Sequence, residues 1–403
     1  MVTLPPASSA GSEIELDAPL PRAVKVLGAV SFAQDAGSEM LYPFLPTFIT
    51  GVLGAPVVAV GVAEGLADAT TAAMKLLTGR LASTGRRRPW IAAGYALATV
   101  GKVIVALSFV WPVVLIGRVV DRLGKGIRGV PRDALIADAV PKRSRGRAFG
   151  FHRSLDTLGA VVGPLIGLGI YRLVGEEIRP VLLIAVIPAV ISVGLVAMVR
   201  EQPIKQQISV STTQSLTFRD RLPDSFWKVM IPLGVFALVN STDALLLQRV
   251  HDLGFSVTEI VFVYIAYNIV YAALGYPAGK LADRVAPRLV FAVGLMVFAV
   301  TYLGLGQATS TAAAWVLLPL YGVYTALTDG VSRAWIANVV NDEQRTWALG
   351  VHGAITGLGA LIAGLWSGLI WNGTGELPLT VSGVIALVVA VWLFTTGRGS
   401  RSR

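Results

Sequence analysis

Residues 134–159 read ALIADAVPKRSRGRAFGFHRSLDTLG, and residues 334–359 read AWIANVVNDEQRTWALGVHGAITGLG. The two stretches share Ala134/Ala334, Ile136/Ile336, Ala137/Ala337, Val140/Val340, Arg145/Arg345, Ala148/Ala348, Gly150/Gly350, His152/His352, Leu158/Leu358 and Gly159/Gly359, each pair 200 positions apart. Gly79, Leu81, Ala82 and Arg88 recur at the same offset as Gly279, Leu281, Ala282 and Arg288. One register kept over that distance is an internal duplication, so the chain is built from two related halves in parallel orientation. Parallel repeats in a membrane protein are the architecture of alternating access, with a substrate held near the midplane between them.

Composition supplies the membrane. Of 403 residues 54% are hydrophobic and 14% charged, and the mean hydropathy is +0.68. Apolar stretches near the ~20 residues that cross ~30 Å of hydrocarbon recur from Ala23 to Leu393. None alternates residue by residue as the wall of a membrane barrel does. The fold class is an all-α polytopic membrane protein of 12 helices in two six-helix pseudo-symmetric halves. Spans are expected near 24–50, 56–79, 89–109, 112–139, 149–173 and 180–199, then near 227–249, 257–279, 288–307, 311–339, 347–371 and 379–396. The domain plan is a cytoplasmic tail over 1–22, a first half over 23–200, a polar linker over 201–226, a second half over 227–397 and a tail over 398–403.

Charge placement gives the orientation. Arg80, Arg86, Arg87, Arg88, Lys142, Arg143, Arg145, Arg147, Lys280, Arg284, Arg288 and the arginines after 397 fall on one side. Loops rich in Lys and Arg stay cytoplasmic, so both termini are expected there, in a multi-pass protein of the cell membrane. Arg179 and Arg249 are exceptions on the opposite side. The net charge of +10 is that same loop bias and does not call for nucleic acid. No cysteine is present, which excludes disulfides and thiolate metal sites. No Gly-rich run ends in Lys followed by Ser or Thr, so nothing supports ATP hydrolysis. No metalloprotease helix appears either. No enzyme activity, cofactor or metal is called for, and energy should come from a gradient of protons or sodium.

Four polar groupings stand inside the apolar spans. Arg118, Asp121, Arg122 and Lys125 share one face of the fourth span, joined by Arg132 one face-repeat on. A charge at a span centre costs about 2.5–3.5 kcal/mol on insertion scales, so this face lines a cavity or pairs. Asp121, three and four residues from Arg118 and Lys125, is expected to form a ladder with them. In the first span Asp35 and Glu39 sit four apart on one face. Burial disfavours a charged carboxyl and a nearby cation favours it, so these two are the candidate proton-coupling acids. Asp156 in the fifth span and Asp243, after Asn240, Ser241 and Thr242, are candidates for substrate contact or charge relay alongside Arg118, Asp121, Arg122 and Lys125. Glu64, Asp68, Lys75 and Lys102 are explained by helix pairing and Asp329 and Arg333 by an ion pair; Tyr264, Tyr267 and Trp335 are read as packing or interfacial anchors, with cavity lining as the alternative.

At these residues the sequence resembles the major facilitator superfamily, over essentially its whole length. Gly279, Lys280, Leu281, Ala282, Asp283 and Arg284, followed by Arg288, match that family's loop motif, although its first-half copy has Ser83 where the acid belongs. The resemblance implies a cytoplasmic gate at Gly279, Asp283 and Arg284, with Arg128, Arg132 and Asp133 at the same rim. Gly150, Gly159, Gly163, Pro164 and Gly167 fit the glycine pattern associated with proton-coupled antiporters, except that Leu168 replaces its last glycine. Small residues let helices approach closely and proline bends them, so Gly159, Gly163, Pro164 and Gly167 form a helix-packing motif. Arg122, Lys125, Gly126 and Gly129 resemble the family's arginine motif. Together with Asp35, Ser38, Glu39, Pro43 and Pro46, the segment 118–138 resembles a prokaryotic subgroup of presumed efflux proteins. The resemblance implies a secondary transporter exchanging protons for a small solute or drug, monomeric in the lipid bilayer. The cations of the fourth span leave open a symporter or uniporter importing an anionic metabolite, and the scaffold also admits a non-transporting sensor.

Overall fold

The structure is a computed structural model that describes residues 19–81, 87–140, 145–199 and 222–396. Most of the expected N-terminal tail, most of the linker and the C-terminal tail lie outside the described residues. Those described form helices and no strands. The first half holds α1 (Arg22–Leu41, continuing in altered winding to Val52), α2 (Val58–Leu81), α3 (Arg88–Ala106), α4 (Trp111–Asp138), α5 (Arg145–Leu173) and α6 (Ile178–Val196). The second holds α7 (Asp224–Ala237 and, after a break, Asp243–Asp252), α8 (Val257–Arg284), α9 (Pro287–Gln307), α10 (Thr311–Asn338), α11 (Asp342–Leu369) and α12 (Glu376–Thr395).

Eight of these are long and apolar enough to cross a membrane by length and composition. The other four, α1, α2, α4 and α7, carry charged residues within their length, and α1 and α7 also change their winding. Past Leu41, α1 tightens to a 3₁₀ turn over Tyr42–Phe44 and ends in a π turn over Phe48–Val52, because Pro43 and Pro46 withhold the donors a regular helix needs. The seventh span, expected as one helix over 227–249, is instead two pieces. Val239 and Asn240 both bond to Phe236 O, Thr242 is extended (φ −71°, ψ 149°), and Asp243 opens the second piece. An acid in a first turn suits the positive end of the new helix.

Both halves repeat one packing plan. Helix α1 packs on α5 and α6, α3 on α4 and α6, and α2 on α4; in the second half α7 packs on α11, α9 on α10 and α12, and α8 on α10. Glycines set the close approaches. A Cβ on Gly163 would lie 2.5 Å from Ala36 O, one on Gly159 would lie 3.1 Å from the Asp35 Cβ, and one on Gly167 would meet Met40. The glycine motif therefore seats α5 on α1, inside the first half.

Two seams join the halves, α2 on α11 and α5 on α8. The α2/α11 seam is backbone against backbone: a Cβ on Gly65 would stand 2.6 Å from the Leu361 Cα, and Gly61 abuts Gly364. At the Val52 end of α1 a single apolar core crosses between halves, joining Phe44, Phe48 and Ala63 to Ala244, Leu245, Ile265 and Trp371. Towards the other end the buried cores stay within their own halves. The protein is thus sealed at one end and parted at the other.

Arg179 and Arg249, the exceptions to the charge bias, have structural partners. Arg179 donates to Ala106 O and Ser108 O at the end of α3, and Arg249 to Leu305 O, Gly306 O and Ala308 O at the end of α9. Each neutralises the unpaired carbonyls and the negative end of a helix.

Candidate functional site

A cavity of about 310 Å³ lies between the halves, lined by residues that include Glu39, Tyr42, Glu64, Asp68, Arg122, Lys125, Asn240, Asp243, Tyr264 and Tyr321. A small adjoining pocket of about 20 Å³ reaches Asp35, Ser38, Arg118, Asp121 and Arg128, enough for one water-sized molecule. Asp68, Lys75 and Lys125 are exposed, and the side chains of Asp133 and Arg333 are 52% and 63% accessible. All lie on the stretches of α2, α4 and α10 running away from the sealed end, so the cavity opens there.

The first-half wall is a charge network drawn from three helices. Arg118 grips Glu64 with two bonds of 2.6 and 2.7 Å, and both side chains are 3% accessible. Lys102 donates to Asp121 at 2.9 Å. Two parallel bonds of this kind fix orientation as well as charge. Arg122 lies 3.6 Å from Glu64, its Nε has no partner, and Lys125 has no ion pair among the described residues. The expected ladder forms in part: Arg118 and Asp121 approach to 3.6 Å. Lys125 stands apart because Lys102, from α3, has taken the other Asp121 oxygen.

The second-half wall is aromatic. Asp243 accepts bonds from Tyr267 at 3.1 Å and Tyr321 at 2.8 Å and has no cationic partner among the described residues. Tyr264 donates to Glu39 at 2.6 Å, a bond that crosses between halves inside the cavity. Ring centroids lie 5.5 Å apart for Tyr42 and Tyr264 and 5.4 Å for Tyr267 and Tyr321.

The structure therefore brings Glu39, Arg122, Lys125 and Asp243 into one cavity, with Asp35, Arg118 and Asp121 just behind it. Asp156 is not among the residues lining the cavity but stands behind it on α5, close enough to Asp35 to repel it and beside His152 at 3.5 Å, with one carboxyl oxygen buried and unpartnered. Arg128 lies over the Tyr95 ring at 4.5 Å. Arg132 pairs with Asp133 at 3.0 Å and reaches Ser31. Gly279 and Arg284 sit in the last turns of α8, near the open end; the Asp283 side chain lies outside the described residues. Asp329 and Arg333 pair at 2.6 Å, as their spacing predicts.

Glu64, Asp68 and Tyr264 were assigned by sequence to pairing and packing, yet all three line the cavity, as do Tyr42 and Tyr321. A signal for them lies in the repeat itself. At the offset of 200, Glu64, Lys102 and Asp121 correspond to Tyr264, Tyr302 and Tyr321, so each half spends the same positions on its wall in a different chemistry.

The profile of the Major Facilitator Superfamily matches residues 27–248 and 235–403. An uncharacterized MFS-type transporter of Methanocaldococcus jannaschii is 29% identical over 389 residues, 94% of this chain and 96% of its own. The multidrug resistance protein MdtH of Cronobacter sakazakii is 22% identical, covering 90% of this chain and 92% of its own. Among solved structures, a point mutant of the nucleoside transporter NupG superposes with a TM-score of 0.80 at 13% identity, covering 94% of this chain and all of its own. Matched over nearly all of its length, the chain belongs to the major facilitator superfamily of membrane transporters.

Proposed function

We propose that the protein exports a small solute in exchange for protons, rocking its two halves about the α2/α11 and α5/α8 seams. The observation that carries this reading is the bond from Tyr264 to Glu39. It joins an intramembrane carboxyl, with no cation within ion-pair distance among the described residues, to the opposite half on the wall of the cavity between them. Such an acid can hold a proton when the cavity is closed and release it when the cavity is wet. Asp35, in the pocket behind it, extends the route along the same face of α1. The helix ends at Leu81, Arg88, Arg284 and Pro287 lie towards the open end, and the sequence around them is rich in Lys and Arg, so the positive-inside bias favours reading this as the cytoplasm-facing arrangement, with both termini inside. A monomer suffices, since one chain supplies both walls. The relative named for multidrug resistance favours export.

Fluxes of labelled solute and of protons across proteoliposomes, recorded under two imposed pH gradients, test the reading. Export coupled to protons predicts that Glu39→Gln and Asp35→Asn abolish uphill transport while leaving downhill exchange of solute. Unchanged uphill transport in both variants would end the proposal. A second reading, import of an anionic metabolite, draws on the unpaired Nε of Arg122 and the free head of Lys125. It predicts fluxes of anions that survive Asp35→Asn and vanish in Arg122→Ala.

A further inference from the structure

We infer that the solute is a small organic monocation, its charged nitrogen held at Asp243 and its hydrocarbon body against the faces of Tyr42 and Tyr264. The inference rests on the exchange reading above and adds the substrate class.

Charge balance is the first support. In the wall and directly behind it stand six carboxylates, the four of the cavity with Asp35 and Asp121, against the five cations Arg118, Arg122, Lys125, Arg128 and Lys102; the next charges beside Asp35, Asp156 and Arg132, add one of each sign and leave the difference unchanged. With every group ionised the site lacks one positive charge. A proton supplies it, and so does one monovalent cation; a dication or an anion leaves the site unbalanced. Removing charges from water without balancing them is costly, so the closed state favours single occupancy by one or the other.

The second support is where the deficit falls. Arg118 is spent on Glu64 and Lys102 on Asp121. Arg122 and Lys125 stand on the same wall as Glu39 and Asp68. Asp243 is the one acidic residue of the second half in the cavity lining, and its only partners among the described residues are the hydroxyls of Tyr267 and Tyr321. Each of its oxygens keeps a lone pair free for a further donor or a cation. Ring faces are the third support. A cationic nitrogen is attracted to a tyrosine face within about 6 Å of the centroid; Tyr42, Tyr264 and Tyr321 line the cavity, and since Arg118 already lies over the Tyr42 ring at 5.9 Å, the charged nitrogen goes to Tyr321 beside Asp243 and the hydrocarbon body to the other two. Size is the fourth: at about 310 Å³ the cavity sits at the low end of the range for small-molecule sites.

The test is equilibrium binding of labelled, permanently charged probes, tetramethylammonium and N-methyl-4-phenylpyridinium, to the purified full-length protein, with benzoate as the anionic counterpart. Binding of at least one cation is expected, without benzoate binding, weakening as the pH is lowered. Asp243→Asn should weaken it more than tenfold, Asp243→Glu should recover part of the loss, and Tyr321→Phe should cost about two- to threefold. Retention of the wild-type elution profile and melting temperature shows that Asp243→Asn still folds. In proteoliposomes a pH gradient should drive uptake of the bound cation, unaffected by a potential clamped with potassium and valinomycin, since one charge replaces one charge. Failure of both cations to bind folded wild-type protein, or binding that persists in Asp243→Asn, overturns the inference. Benzoate-driven proton exchange would overturn the cation class and leave exchange standing; proton movement with no solute at all would bring down both.

Discussion

The two halves share a helix plan and differ in what stands behind the cavity wall. Where the first half has Glu64, Lys102 and Asp121, the second has Tyr264, Tyr302 and Tyr321; where the first has Arg118, Arg122 and Lys125, the second has Leu318, Gly322 and Thr325. One interior is held by buried ion pairs, the other by hydroxyls and rings, such as Tyr302 stacked on Phe298 at 3.8 Å and bonded to Ser241 at 3.2 Å. The difference is energetic. A buried charge that loses its partner is left uncompensated, whereas a buried ring that loses a hydroxyl keeps its packing. The first half should therefore be rigid and intolerant of single changes, and the second forgiving.

The largest expected effect follows directly. Glu64→Gln leaves Arg118, which is 3% accessible, with only the 3.6 Å approach of Asp121, and breaking one partner of such a pair costs roughly 3–5 kcal/mol. The double variant Glu64→Met with Arg118→Leu, the residue found at position 318, should recover most of that, because replacing a whole buried pair by apolar groups is often neutral. Thermal unfolding in detergent reads both. A melting temperature unchanged in Glu64→Gln would break the comparison at its root.

That asymmetry also explains what could be read from sequence. Apolar length located the helices, and the offset of 200 located the halves, because both are properties of position along the chain. The α4 face was legible for the same reason, its spacing being helical. Partners on other helices were not: nothing near Asp121 announces Lys102, and nothing near Glu39 announces Tyr264, 225 positions away. The α7 break was missed because Leu238 and Val239 keep the stretch apolar while Asn240, Ser241 and Thr242 take it out of helix.

A second contrast lies between the seams. The α2/α11 seam has no room for side chains at Gly61 and Gly364, so Gly364→Val should force the halves apart and lower transport more than tenfold in proteoliposomes. The α5/α8 seam is made by exposed side chains, such as Arg172 on Thr258 at 2.8 Å. Arg172→Ala should leave transport within about twofold, because exposed polar pairs contribute little. Equal effects at both seams would remove the case for α2/α11 as the close-packed pivot.

The helix caps come next. Arg249, 5% accessible, satisfies three carbonyls at the end of α9, and Arg179 satisfies two at the end of α3 while lying over Phe109 at 4.5 Å. Bonds to a charged group are worth about 1.5–3 kcal/mol where buried. Arg249→Met should thus destabilise by roughly 2 kcal/mol, and Arg179→Met by less, in the same unfolding measurement. The reverse order would mean that the ring contacts of Arg179, and not its carbonyls, dominate.

The smallest effect is the sharpest test of the second half. Tyr302→Phe removes one hydroxyl from the Ser241 contact and leaves the stack on Phe298 intact, so the loss should be about 0.5–1.5 kcal/mol, the net worth of a neutral hydrogen bond. Ser241 sits in the α7 break, next to Thr242 and Asp243, so its loosening should appear less in stability than in the position of Asp243. If Asp243 binds the solute, Tyr302→Phe should weaken binding a few-fold with little change in melting temperature. A matched change in the first half, Lys102→Met, leaves Asp121 with only the 3.6 Å approach of Arg118 and should do the opposite, melting the protein earlier by several times the Tyr302→Phe loss. Should the two variants instead lose stability equally, tyrosines and ion pairs would be interchangeable supports, and the chemistry that separates the halves would have to reside in the cavity face alone.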